Sequence, residues 1–200
     1  MIYIPQYFDN NYDVKDDIKY LTLKIKNVEL TFKTNSNIFS KNKIDYGTNL
    51  LLNSISINDT TKQILDVGCG YGTIGISLAK QYPFVNIDMI DINEKAVLLS
   101  KENSNLNNVE NTNIYISDFF TSISNKYDCI VSNPPIRIGK EKLLKFIEDS
   151  KRYLNTNGEL WLVIRKQQGA LSYIKHINNI FNNYEIIEKK KGYFIIKTIN

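Results

Sequence analysis

From Gln63 onward, short apolar runs alternate with amphipathic stretches. One junction among them, Asp66-Val67-Gly68-Cys69-Gly70-Tyr71-Gly72, carries glycine at every second place after an acidic residue. Strand-length runs that alternate with helix-length stretches can bury both only as a mostly parallel sheet with helices on its two faces. The predicted strands are 64–67, 85–90, 114–117, 127–132, 159–164, 184–189 and 193–198. The predicted helices are 73–81, 93–107, 141–154 and 171–181. Ala96, Val97, Leu99 and Leu106 form the expected inner face of the second helix, and Asn155–Gly158 reads as a turn. The last two strands have no helix between them, so one must run antiparallel at the sheet edge. The fold class is therefore α/β.

Ahead of this alternation, residues 18–33 read as a β-hairpin turning at Asn27. A helix after Asp45 buries Leu50, Leu51, Ile55 and Ile57. The expected division is an extension over residues 1–35, with the hairpin, and a main domain over 36–200. Residues 1–17 carry no motif.

Glycine at the strand–helix junction permits positive φ and lets a ligand approach the backbone with no Cβ in the way. The helix that follows offers free N–H groups at its start. Gly70-Tyr71-Gly72-Thr73-Ile74-Gly75 also fits the dinucleotide fingerprint, with Asp91 about twenty residues on, so the loop by itself leaves NAD and S-adenosylmethionine both open. Three features favour S-adenosylmethionine. Asp66 precedes the Val-Gly, where it would meet a methionine ammonium; Asp118 follows the third strand, where it would accept from an adenine amino group. The third is the loop Ser132-Asn133-Pro134-Pro135-Ile136 at the end of the fourth strand. Its prolines remove two donors and hold Asn133 extended. The Asn133 amide oxygen and the Pro134 carbonyl then form a rigid acceptor pair for a planar NH2 group. A plain strand-ending turn is the alternative.

With these residues in view, the chain resembles the class I methyltransferases, and closely the small-subunit (16S) ribosomal RNA guanine-N2 methyltransferase family. The resemblance runs from about Phe32 to Lys197. It rests on Ile38-Phe39-Ser40, Asp45-Tyr46-Gly47-Thr48, Asp66–Gly72, Asp91-Ile92-Asn93, Asp118, Asn133–Ile136, Lys166-Gln167-Gln168-Gly169-Ala170 and Lys190-Lys191-Gly192-Tyr193-Phe194-Ile195. It implies a Rossmann-like, seven-stranded, mostly parallel sheet with an antiparallel edge strand. The implied reaction is transfer of methyl from S-adenosylmethionine to the exocyclic amine of a guanine. Implied cofactor-binding residues are Phe39, Asp45, Gly47, Thr48, Asp66, Gly68, Gly70, Gly72, Asp91, Ile92, Asp118, Phe119 and Asn133; Asn133, Pro134, Pro135 and Ile136 form the acceptor site. Enzymes of this kind that act on bases often carry an aromatic where Ile136 stands, which makes Phe119, Phe120 and Tyr46 the substitutes for stacking. A protein glutamine amide or adenine N6 is the alternative acceptor, and both argue for Tyr at that place.

A net charge of +4 is too mild to establish nucleic-acid binding, but its placement is suggestive. Arg137, Lys140, Arg165, Lys166, Lys190 and Lys191 fall near strand ends, where they would hold RNA phosphates; a solvated surface is the plain alternative. The expected partner is ribosomal RNA or the small ribosomal subunit, with the protein a monomer or weak homodimer. Cys69 and Cys129 lack metal-ligand spacing and His176 is the single histidine, so no metal is expected. No apolar run approaches membrane-helix length and no secretory signal is evident, so a cytoplasmic protein is expected.

Overall fold

The computed structural model describes residues 18–35, 43–134 and 139–200. Residues 1–17, Phe39, Pro135, Ile136 and Arg137 lie outside them. The chain begins with an antiparallel hairpin, β1 (Ile18–Ile25) and β2 (Val28–Asn35), which turns at Lys26-Asn27. Then follow α1 (Tyr46–Ser54), β3 (Gln63–Val67), α2 (Thr73–Gln81), β4 (Asn86–Asp91), α3 (Glu94–Leu106) and β5 (Thr112–Ile116). The remainder comprises β6 (Tyr127–Ser132), α4 (Lys140–Tyr153), β7 (Leu154–Arg165), α5 (Ala170–Phe181), β8 (Glu185–Lys190) and β9 (Tyr193–Ile199).

Seven strands form one sheet in the order β5-β4-β3-β6-β7-β9-β8. The first five are parallel, and β9 runs antiparallel to both neighbours, as a hairpin partner must. One face packs on α1, α2, α3 and the N-terminal hairpin through Leu51, Leu52, Ile76, Leu78 and Val97. Leu23, Ile25, Leu30 and Phe32 of the hairpin belong to that same cluster. The other face packs on α4 and α5 through Phe146, Ile147, Ile174 and Ile177. Strands covered on both sides need continuous apolar runs, which Leu160–Ile164 supplies, each residue buried.

Two expectations change. Leu106 does not face inward; it is 47% exposed, while Asn103 on the inner face of α3 and Asn107 at its C-cap are buried. What they meet is the edge of β2. Asn103 accepts from Lys33 N (2.7 Å) and donates to Lys33 O (2.9 Å) and Tyr71 O (2.8 Å). One turn further on, Asn107 accepts from Thr31 N (2.9 Å) and donates to Thr31 O (2.8 Å). An amide carries a donor and an acceptor side by side, as a peptide unit does, so two asparagines spaced i, i+4 pair with a strand edge as another strand would. The second change concerns the turn at 155–158, which is absorbed into β7. The strand starts directly after α4, and its register against β6 jumps from Tyr127↔Leu154 to Cys129↔Glu159. Asn157, at φ 63°, makes the local bend.

Candidate functional site

Chain order reverses between β3 and its neighbour β6, so the loops leaving these strands diverge and open a crevice at their C-terminal ends. The glycine loop leaves β3 and Asn133-Pro134 leaves β6. The two strand ends are joined where Ser132 Oγ donates to Val67 O at 2.7 Å. The glycine loop and Asn133-Pro134 therefore leave neighbouring strand ends.

Backbone contacts set the form of the glycine loop. Gly68 N and Cys69 N donate to Ile90 O at 2.8 and 2.9 Å, which folds the loop over the end of β4. Gly68, Gly70 and Gly72 have φ of 73°, 58° and 96°. At Gly70 a Cβ would meet nothing within 4 Å, so the loop presents bare backbone to open space there.

The acidic residues expected at the cofactor also carry structural hydrogen bonds. Asp66 is fully buried; its Oδ2 accepts from Gly75 N at 2.8 Å, which ties β3 to the first turn of α2. Its Oδ1 is buried with no hydrogen-bond partner. Burial pushes its pKa up to about 7, the Gly75 N–H pulls it back, and the neighbouring Asp91 charge adds to the rise. Asp91 is also buried; Oδ2 accepts from Gly70 N and Oδ1 from Asn93 N, each at 2.9 Å. It shapes the loop from below. Ile92 keeps an exposed apolar side chain beside it.

Asp118 is exposed at the end of β5, beside a recess of about 480 Å³ lined by Phe119, Phe120, Lys142 and Phe146 among others. Phe119 has φ 49°, held in its turn by Ser117 Oγ donating to Phe119 O. Of the three stacking substitutes, Phe120 is unavailable, because it is buried between the rings of Phe146 and Tyr153. Tyr46 packs on the Tyr193 ring at 5.4 Å and lies under Lys191 Nζ at 4.9 Å, while Phe119 is half-buried against Phe146.

At the acceptor loop, Asn133 Nδ2 donates to Asp45 Oδ2 at 3.0 Å and to Thr48 Oγ1 at 2.8 Å. Both amide hydrogens are thereby committed, and among the described residues nothing donates to Oδ1. Asp45 is the N-cap of α1, its Oδ2 also accepting from Thr48 N at 3.1 Å. Thr48 is buried, so it faces Asn133 rather than solvent. Beside Asp45 stands the Tyr193 phenol. Burial raises its pKa, the Asp45 charge raises it further, and Arg165 opposes both. Arg165 hydrogen-bonds the Tyr193 hydroxyl and lies over its ring at 4.5 Å. Gly47 is the place where β9 approaches α1: a Cβ there would sit 2.7 Å from Tyr193 and 2.8 Å from Val163. The place of Tyr193 beside Asp45, with Arg165 on its hydroxyl, was not legible in the sequence. The Lys-Gly-Tyr tail was the available signal, though it did not reveal where the tyrosine points.

The basic residues of β7, β8 and β9 assemble at this same edge. Register sets Arg165 opposite Tyr193 and Tyr193 opposite Lys190, while Lys166 N donates to Gly192 O at 2.7 Å. Lys166, Lys190 and Lys191 are exposed there, and exposed Lys140 opens α4 after the acceptor loop. Cys69 and Cys129 are buried thiols whose pKa values burial drives well up, which leaves neither as a nucleophile.

Comparison with known proteins agrees with this geometry. The methyltransferase small domain family matches residues 29–197. The uncharacterized protein YbxB of Bacillus subtilis is 42% identical over 193 residues, 96% of each chain. Ribosomal RNA small subunit methyltransferase C of Citrobacter koseri is 31% identical over 175 residues, 86% of this chain and 50% of that one. This chain thus spans about half the length of the ribosomal RNA methyltransferases it matches. Among solved structures, the T. thermophilus 16S rRNA N2 G1207 methyltransferase in complex with AdoMet and guanosine superposes with a TM-score of 0.79 at 21% identity, covering 92% of this chain and 50% of that one. The M. jannaschii TYW2 structure in complex with AdoMet gives 0.66 at 18% identity, covering 93% and 87%.

Proposed function

Because this chain belongs to the methyltransferase small domain family, we propose that it transfers methyl from S-adenosylmethionine to the exocyclic N2 amine of a guanine in small-subunit ribosomal RNA. One observation carries the reading: Asn133 has both amide hydrogens engaged behind it, which leaves its oxygen as the group for an incoming N–H, one strand away from the glycine loop.

The residues fit S-adenosylmethionine. The open backbone at Gly70 is a cradle that any side chain would fill, and the orphaned Oδ1 of Asp66 is a buried acceptor suited to a cationic end. Asp91 supports the loop, and family resemblance assigns it to the ribose. Ile92 and Asp118 provide an apolar face and an acceptor for an adenine. Phe39 is assigned to the same site by family resemblance. When bound, S-adenosylmethionine supplies a methyl on a sulfonium; the C–S electron pair stays with sulfur and S-adenosylhomocysteine departs.

The protein's own task is alignment. Asn133 Oδ1 and the Pro134 carbonyl accept the two amine hydrogens, which turns the nitrogen lone pair away from the base plane toward the methyl. Family resemblance assigns Pro135 and Ile136 to the same acceptor site. The nitrogen sheds its extra proton to water after transfer, so no strong general base is needed. A paired guanine must leave its stack, at a few kcal/mol. Arg165, Lys166, Lys190 and Lys191, with Lys140 and Arg137, offset part of that by holding phosphates. This basic edge favours RNA over a protein glutamine amide. The place of action is the cytoplasm, with the protein a monomer or weak homodimer. Among the described residues no helix is long and apolar enough to cross a membrane.

The test is to incubate the protein with methyl-labelled S-adenosylmethionine and ribosomal RNA or small subunits from cells lacking it, then map the labelled base. Asn133→Ala should lower kcat roughly 100- to 1000-fold, the scale of losing one transition-state partner, with cofactor affinity unchanged within about threefold. Label on protein alone, or cofactor affinity falling in parallel with kcat, overturns the reading.

A further inference from the structure

Asparagine can present either its oxygen or its NH2 group in one and the same volume, so something other than shape must decide which faces the crevice. Here the deciding groups come from α1. Asp45 carries a carboxylate, which when ionised only accepts; at 3.0 Å from Asn133 it admits the NH2 group and repels the oxygen. Thr48 Oγ1, at 2.8 Å, takes the second hydrogen. Asp45 is in turn fixed on two sides: it caps α1 through Thr48 N and stands beside the Tyr193 phenol, which Arg165 in its turn hydrogen-bonds. Gly47 lets Tyr193 come this close, since a Cβ there would overlap the ring.

We propose that Asp45 and Thr48 are positioning residues for the methyl acceptor, locking the Asn133 amide with its oxygen toward the crevice, and that Tyr193 and Arg165 hold Asp45 in register. The proposal rests on the assignment of Asn133 as partner of the acceptor amine. It takes Asp45, Gly47 and Thr48 out of the cofactor-binding set that family resemblance implied and gives them to the acceptor. It also gives the Lys-Gly-Tyr tail a purpose apart from charge: Tyr193 reaches the acceptor site from the far side of β7.

Asp45→Asn is the decisive variant, because asparagine caps a helix as well as aspartate does and the fold is kept. It can present either an oxygen or an NH2 group to Asn133, so the lock is lost. Turnover should fall roughly ten- to a hundredfold, the scale of one hydrogen bond to a charged partner, with the cofactor dissociation constant within about threefold of wild type. Asp45→Asn placed on Asn133→Ala should add no further loss, since Asp45 acts through Asn133 alone. A readout independent of turnover is the Asn133 side-chain amide in NMR, identified by its disappearance in Asn133→Ala. Its two protons should exchange with solvent at least about tenfold faster in Asp45→Asn. Cofactor affinity falling in step with kcat, additive losses in the double variant, or unchanged amide exchange would each overturn the lock. If the wild type methylates no RNA, the functional reading fails, and the amide exchange still decides whether Asp45 fixes Asn133.

Discussion

Replacing Asn103 by alanine should unfasten the N-terminal hairpin and loosen the cofactor loop together. The side chain is fully buried and makes three hydrogen bonds, two to the Lys33 peptide and one to Tyr71 O. A net loss of about 1 kcal/mol for each, plus the added penalty of leaving a buried carbonyl unpaired, totals roughly 3–4 kcal/mol. That is a large part of the roughly 5–15 kcal/mol that holds a typical domain folded. In a chain of this size it lowers Tm by about 10 °C. The assay is urea unfolding followed by fluorescence, with an unchanged m-value confirming that the same surface is exposed. Because Tyr71 belongs to the glycine loop, S-adenosylmethionine should also bind more weakly. A loss below about 1 kcal/mol would refute the view that this amide substitutes for a strand. A full loss of stability with cofactor affinity intact would refute the coupling to the loop.

Asp66 gives a pH signature. With its folded pKa near 7 against 3.8 when unfolded, the folded chain keeps a proton across that window which the unfolded chain has released. Its contribution to stability is therefore complete below the lower value and is lost as pH rises toward the upper one. Asp66→Asn should gain on the wild type between about pH 5 and about pH 8 in paired denaturation curves; an equal difference at both would sink the shifted titration. Gly47→Ala should destabilise by about 1–3 kcal/mol through overlap with Tyr193 and Val163, and should slow turnover more than it weakens cofactor binding. A thermal melt matching wild type would contradict that close packing. Lys190→Ala and Lys191→Ala should each reduce the slope of log affinity for RNA against log salt by about one, with little dependence on RNA sequence. An unchanged slope would remove these lysines from the phosphate contacts.

The parallel sheet and the glycine loop were legible in the sequence because each is a local statement. Period and φ preference act within a few residues of the chain, whatever surrounds them. What escaped are pairings across long separations. Leu106 fitted the helical period yet stays on the surface, while Asn103 and Asn107 turn inward, because their partner is a strand edge 70 and 76 residues earlier. Asp66 and Asp91 were expected at the ligand. Burial gives each a second task that no motif showed, Asp66 as a brace for α2 and Asp91 as a brace for the glycine loop. Asp45 lies 88 residues from Asn133, and no motif spacing encodes which way an amide turns. The sequence on its own determined which backbone conformations were available and therefore which crevice could form. Only the tertiary structure decided which end of the Asn133 amide is engaged by α1, since that depends on the charge and donor pattern of side chains that folding alone brings into contact.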